Sequence, residues 1–166
     1  FRRLYLSPAP RWILVVAPML ADTLSSLFFT VLLLAIAALF GVTFQFGMLS
    51  VFGILLLSLL WSLTLCGFSA GIMLRTGQHQ SAAIVTNAVF PLLFLSTTFL
   101  PRELITSEWL LAVSWANPVT YILEGNRYLL AGTSPAEFFY FGLLITAVTS
   151  IASVVFALRS AKRIKI

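Results

Sequence analysis

The sequence of 166 residues has very little charge: ten basic and five acidic side chains, 9% of the total, against about a quarter in an ordinary globular domain. That shortage removes most of the raw material for a nucleic-acid groove or a polar catalytic cleft. A single cysteine, Cys66, excludes an internal disulfide and a cysteine-rich metal site. No G-x-x-x-x-G-K-[ST], C-x-x-C or H-E-x-x-H occurs, so nucleotide, zinc and cluster chemistry are not written in this chain. Asp, Glu, Lys and Arg are absent from Thr23 to Leu74. That stretch of about 52 residues, about 78 Å as helix, can cross a hydrocarbon layer of about 30 Å twice with a turn between. With 60% hydrophobic residues, disorder is excluded as well. The composition therefore describes an all-α integral membrane protein.

The net charge of +5 does not mark a nucleic-acid binder, because the basic residues stand at the ends of apolar segments instead of along one face. The chain opens on Phe1, Arg2 and Arg3, and Ser7-Pro8-Ala9-Pro10-Arg11 precedes any apolar run, unlike a secretory signal. It reads as part of a longer chain whose N-terminal part is absent. Residues 1–22 form an inner segment. Spans are expected at 23–40, 51–74, 82–100 and 138–158, and a basic tail follows at 159–166. The first span can begin as early as Arg11, with Pro18 as a kink, and residues 41–50 make a short turn. Pro91 lies inside the third span and Pro101 stops it.

Residues 109–131 could be taken for a fifth span, and charge decides against it. With four spans, one side receives Arg2, Arg3, Arg11, Arg75, Arg159, Lys162, Arg163 and Lys165 and no acid outside the spans. The other receives Glu103, Glu108, Glu124 and Glu137 with only Arg102 and Arg127. A fifth crossing would split the basic residues nearly evenly, against the positive-inside tendency. Asn117 is a favoured N-cap and Pro118 suits the first helical position, so a new helix starts there and runs to Ala131, with Gly132 as its stop. Two short helices that enter the outer leaflet and return are expected, with Trp109, Trp115, Tyr121 and Tyr128 as an aromatic belt. Broken backbone at that depth needs protein or water around it, so this hairpin lines or plugs an internal cavity.

Gly67-Phe68-Ser69-Ala70-Gly71 fits both a G-x-S-x-G nucleophile and a G-x-x-x-G packing face. A nucleophilic Ser69 needs a base, and the only histidine, His79, lies in the polar loop beyond the helix end, so helix packing is the better reading. Asp22, at the border of the first span, either pairs with Arg75 or stays hydrated at the headgroups. Glu124 and Arg127, three apart, can share a helix face and pair, which lowers the cost of carrying both charges into the outer leaflet.

The order of features, from Leu4-Tyr5-Leu6-Ser7-Pro8-Ala9-Pro10-Arg11 through Phe90-Pro91-Leu92-Leu93-Phe94 to Ala116-Asn117-Pro118-Val119-Thr120-Tyr121 and then Glu124 and Arg127, resembles the permease subunit of type-2 ABC exporters. That family includes drug-resistance and polysaccharide or lipo-oligosaccharide export permeases, and the resemblance covers nearly the whole chain. It implies the last four spans of a six-span helical bundle with an outer re-entrant hairpin. It implies contact of Arg3, Leu4, Tyr5, Ser7, Pro8 and Arg11 with an ATP-binding cassette ATPase. It further implies an outer gate built from Trp109, Asn117, Pro118, Tyr121, Glu124 and Arg127, and helix packing at Gly67, Gly71 and Pro91. No cofactor is expected in this chain; ATP and Mg belong to the partner ATPase. A second permease, identical or homologous, completes the path, in a bacterial or archaeal plasma membrane with both ends of this chain cytoplasmic. Gly125-Asn126 replaces the apolar pair common in the family between the acid and the Arg. Two other classes compete: an intramembrane serine hydrolase using Ser69, which a serine-reactive probe would label, and a secondary transporter that works without an ATPase.

Overall fold

A computed structural model describes residues 13–78, 80, 82–98 and 107–162. Six helices follow one another: α1 (Ile13–Leu39), α2 (Met48–Thr76), α3 (Ala82–Phe94), α4 (Glu108–Ala116), α5 (Pro118–Ala131) and α6 (Ala136–Lys162). Among the described residues, three of them are long and apolar enough to cross a membrane: α1 from Val16 onward, α2 and α6. Helix α1 begins ten residues before the expected first span, at Ile13, and runs through Pro18 without a break.

Helix α3 is shorter than the expected span at 82–100. It has 13 residues, about 20 Å, and a turn occupies residues 95–98. Hydroxyl side chains explain the early end. Ser96 Oγ donates to Leu93 O at 2.7 Å, and the Ser96 and Thr98 hydroxyls bond each other. Short polar side chains of this kind compete with the helix for its own backbone groups. Pro91 lies in α3 on its exposed side, where it removes one N–H from the ladder.

Helices α2 and α6 form the centre. They run parallel in a constant register, in which Thr64 meets Thr149 (3.2 Å between hydroxyls), Gly67 meets Ser153 and Arg75 meets Ser160. The seam is made of small residues: Thr64, Gly67 and Gly71 of α2 and Thr146, Ser150, Ser153, Ala157 and Ser160 of α6 are all buried. A Cβ on Gly67 would stand 2.8 Å from the Ser153 carbonyl carbon, and one on Gly71 would stand 2.2 Å from the Phe156 ring. Small side chains let backbones approach, which replaces the hydrophobic drive that lipid does not supply. Hydroxyls then bond across or along the helices: Ser153 Oγ donates to Leu63 O at 3.1 Å. At the opposite end from the hairpin, Met19 of α1 packs on Ala157 and Ala161.

Asp22 and Arg75 do not pair. Arg75 sits on the α6 side of α2, where Nε donates to Ser160 Oγ at 3.0 Å and the guanidinium lies 4.4 Å from the Phe156 ring centre. Asp22 instead lies beside Cys66, nine residues before Arg75, or about 13 Å along the helix.

Replacing both Gly67 and Gly71 by Leu is therefore expected to leave membrane insertion intact while lowering the unfolding temperature and yield of folded protein. Each leucine over-packs the seam against backbone or ring, at a cost of about 1–3 kcal/mol. Thermal unfolding in detergent, alongside a membrane-extraction assay, checks both halves of this expectation.

Candidate functional site

One end of the bundle gathers the chain's backbone breaks. Asn117 separates α4 from α5. Its Oδ1 accepts from Val119 N at 3.0 Å, and Pro118 occupies the first helical position behind it. At the other end of α5, Gly132 adopts a left-handed φ of 66°, and its N–H returns to Tyr128 O at 3.0 Å. The remaining carbonyls at that helix end are met from the α1–α2 turn, where Gln45 N donates to Leu129 O and Leu130 O at 3.3 and 3.1 Å.

Two side chains of α5 reach the C-terminal turn of α3. Ser96 N–H bonds Leu93 O, which leaves Leu92 O without its helical donor. Asn117 Nδ2 supplies one at 2.6 Å. Arg127 Nη2 donates to Thr97 O, also at 2.6 Å. Between these two tethers on the same face of α5 lie Thr120 and Glu124. Glu124 is 4% exposed. Its Oε1 accepts from Arg127 Nη1 at 2.7 Å, and its Oε2 accepts from the buried Ser134 hydroxyl beyond the helix end. The carboxylate thus has one charged and one neutral donor, the arrangement that burial of such a group demands. The hydroxyls of Thr97 and Thr120 and Oδ1 of Asn126 are buried without a hydrogen-bond partner.

Close backbone approach holds α5 to α6. A Cβ on Gly142 would stand 2.8 Å from Tyr121 O, and one on Gly125 would stand 3.1 Å from Phe139 Cα. The departure at Gly125 therefore has a use, since a side chain there would push α6 away from the helix that carries Glu124.

The family profile described as ABC-2 type transporter matches residues 1–131. The chain belongs to the ABC-2 type transporter family. No curated protein and no solved structure gives a significant match. This ABC-2 chain is a multi-pass membrane protein and a permease subunit of an ABC transporter, a transport component and not itself a catalyst. Among the described residues no three of His, Cys, Asp and Glu come together to hold a metal ion.

The structure bonds Glu124 to Arg127 and places Asn117 on the same face, bonded separately to the end of α3, with Pro118 at the start of their helix. Tyr121 lies on another side of α5, its hydroxyl donating to Trp115 O at 2.8 Å. Trp109 is exposed on α4. Ser69 sits between the two seam glycines of α2. Arg3, Leu4, Tyr5, Ser7, Pro8, Arg11 and His79 lie outside the described residues. Sequence reasoning missed Ser134, Thr97 and the Leu92 carbonyl. The Ser96-Thr97-Thr98 triplet after an apolar run is the signal that marked a frayed helix end in need of donors.

Arg127→Ala is expected to destabilise the permease by about 2 kcal/mol, below the 3–5 kcal/mol of a fully buried pair because the Arg side chain is 29% exposed. The Glu124→Ala, Arg127→Ala double variant should cost less than the sum of the singles, since no charge is then stranded. Denaturant unfolding of the four proteins measures that coupling.

Proposed function

We propose that this permease is the membrane-spanning subunit of an ATP-driven exporter for amphipathic drug-like or lipid- or glycan-linked substrates, with α4 and α5 as the gate at its outer end. The observation that carries the gate is the pair of tethers from α5 to α3, Asn117 to Leu92 O and Arg127 to Thr97 O. Both join side chains to the carbonyls of a frayed helix end, so the hairpin can detach without unwinding any helix. Glu124 holds Arg127 in the tethered position through one ion pair.

The energy source in this reading is a separate ATP-binding cassette subunit that holds ATP and Mg, and a second permease copy or homologue completes the path. ABC-2 membership supports an ATPase partner in general. Arg75, Arg159 and Lys162 gather at the end of the bundle away from the hairpin, which supports a cytoplasmic assignment for that end in a bacterial or archaeal plasma membrane. The segment containing Arg3, Leu4, Tyr5, Ser7, Pro8 and Arg11 is assigned to ATPase contact, because a proline-stiffened basic stretch that leads into a span transmits a domain movement better than a flexible loop.

Three measurements test this. Cysteines placed at the exposed Thr133 and Thr76, in a background lacking Cys66, should label from opposite sides of the membrane, and labelling from one side ends the topology. In the complex with the ATPase, Glu124→Ala or Arg127→Ala alone should lower export more than the double replacement, while ATP hydrolysis falls less than transport. Normal export by both single variants, or effects that simply add, would remove the gate. A photoreactive residue at Tyr5 should crosslink to the ATPase, and crosslinks to lipid alone would reduce the segment to a membrane anchor.

A further inference from the structure

A second feature of the hairpin end takes no part in the tethers. Between the end of α4, the α5 face that bears Tyr121 and the first turns of α6 lies a cavity of about 400 Å³, lined by Trp115, Tyr121, Pro135, Glu137, Phe138 and Phe141. That volume lies within the range of about 300–1,000 Å³ usual for small-molecule sites. Four of its six walls are aromatic. The Tyr121 and Phe138 rings are 5.8 Å apart at 33°, Trp115 and Phe138 are 6.0 Å apart at 35°, and Phe141 meets Tyr121 edge-on at 6.1 Å. The hydroxyl of Tyr121 is already spent on Trp115 O, so Tyr121 offers the cavity its ring. Trp115, Glu137 and Phe141 are exposed, and the cavity opens past them.

Among the described residues, Glu137 is the one charged side chain on this wall. The ion pair among the described residues is Glu124 with Arg127, so none of the described basic residues pairs with the Glu137 carboxylate. Its place in the first turn of α6 makes an acid tolerable there. It does not account for aromatic rings gathered around the same space. Ring faces carry the negative end of the aromatic quadrupole, so rings and carboxylate act with one sign. An anion is repelled by the carboxylate and by the ring faces of the wall. A neutral apolar guest gains nothing from the acid. A small hydrated metal ion gains nothing from rings and finds only one carboxylate. A bulky cation with apolar substituents uses all of them.

We propose that this cavity binds lipophilic onium cations, that is, quaternary ammonium or phosphonium heads carrying apolar groups. The inference deepens the exporter reading by naming a ligand class for it, and it rests on that reading for the fate of the bound ligand but not for binding itself. The same chemistry is offered by a free amphiphilic cation and by the ammonium head of a phospholipid.

The test is equilibrium binding to the complete permease in neutral maltoside micelles, with tetraphenylphosphonium and its anionic counterpart of the same shape, tetraphenylborate, as probes. The phosphonium is expected to bind well above the borate. Glu137→Gln should weaken phosphonium binding by about tenfold and leave or improve that of the borate. Phe141→Leu, which keeps the apolar volume and removes a ring, should weaken the phosphonium severalfold and leave the borate alone. Unchanged unfolding temperatures show that both variants fold. Displacement of the phosphonium by phosphatidylcholine, with phosphatidylglycerol as the control, assigns the lipid head as a natural occupant; resistance to it assigns the free cation, and either result supports an onium site. Equal affinities for phosphonium and borate, or Glu137→Gln with wild-type phosphonium affinity, overturn the proposal. Because no ATPase is present, failure here leaves the exporter reading standing. ATP-driven efflux from the assembled complex tests that reading on its own.

Discussion

A buried backbone carbonyl must find a donor, and in a membrane protein water is scarce enough that the chain must usually provide it. The structure breaks this supply at the end of α3, where the Ser96-Thr97-Thr98 hydroxyls turn the backbone out of the helix. Much of what is polar at the hairpin end answers that break. Asn117 caps its own helix with Oδ1 and Leu92 O with Nδ2, so one side chain both starts α5 and fixes it against α3. Arg127 reaches Thr97 O only because Glu124 neutralises it, and Glu124 can be buried only because Arg127 and Ser134 bond it. The charged pair is therefore better understood as a donor delivered to a frayed helix end than as a stabilising ion pair. Pairs of this kind contribute little net stability, although removing one partner is costly.

This fragile end rests on a rigid one. The α2–α6 seam brings backbones together at Gly67 and Ser153 and uses serine and threonine hydroxyls that bond their own or the facing backbone. Such a contact is short and has little freedom to slide, because any axial shift drives Phe156 or Ser153 into the opposite helix. Helix α5 joins α6 by the same device at Gly142 and Gly125, but over fewer turns. Its other attachments are the packing of Leu129 on Ile54 and Leu57 of α2 and, toward α3 and the α1–α2 turn, hydrogen bonds from side chains and from the Gln45 N–H. The boundary between close-packed glycine contacts and single hydrogen bonds thus falls within the hairpin.

The helical membrane architecture was legible in the sequence because its signal is long: an uncharged run between Thr23 and Leu74 admits few alternatives. The start and stop of α5 were legible because Asn117-Pro118 and Gly132 are local devices with one use each. The glycines of α2 were legible as packing residues, since a spacing of four places Gly67 and Gly71 on one helix face, where Ser153 and Phe156 meet them. The end of α3 was not, because hydropathy carries on through Leu95 while the hydroxyls that unwind the helix count as mildly polar residues in an apolar run. The partners of Arg75 and Asp22 were missed for a different reason. Opposite charges invite pairing on paper, but the face each occupies depends on helix rotation, and Arg75 turned to α6. Ser134 was missed because a bond across a reverse turn follows no helical period.

What remains is why an apolar chain with five acids places two of them, Glu124 and Glu137, at the same end and treats them so differently. Glu124 is buried and bonded on both oxygens, so it can only hold what is already there. Glu137 is exposed in the first turn of α6, beside the aromatic wall and open to a guest. The two are linked through a ring contact: Tyr121 lies one turn before Glu124 on α5, and its ring packs on Phe138, the residue after Glu137. In the proposed gate, a movement of α5 away from α3 would carry Tyr121 with it and would act on the close approach of Tyr121 to Gly142 of α6, so the tethers and the aromatic cavity would respond to the position of the same helix without a relay of side chains.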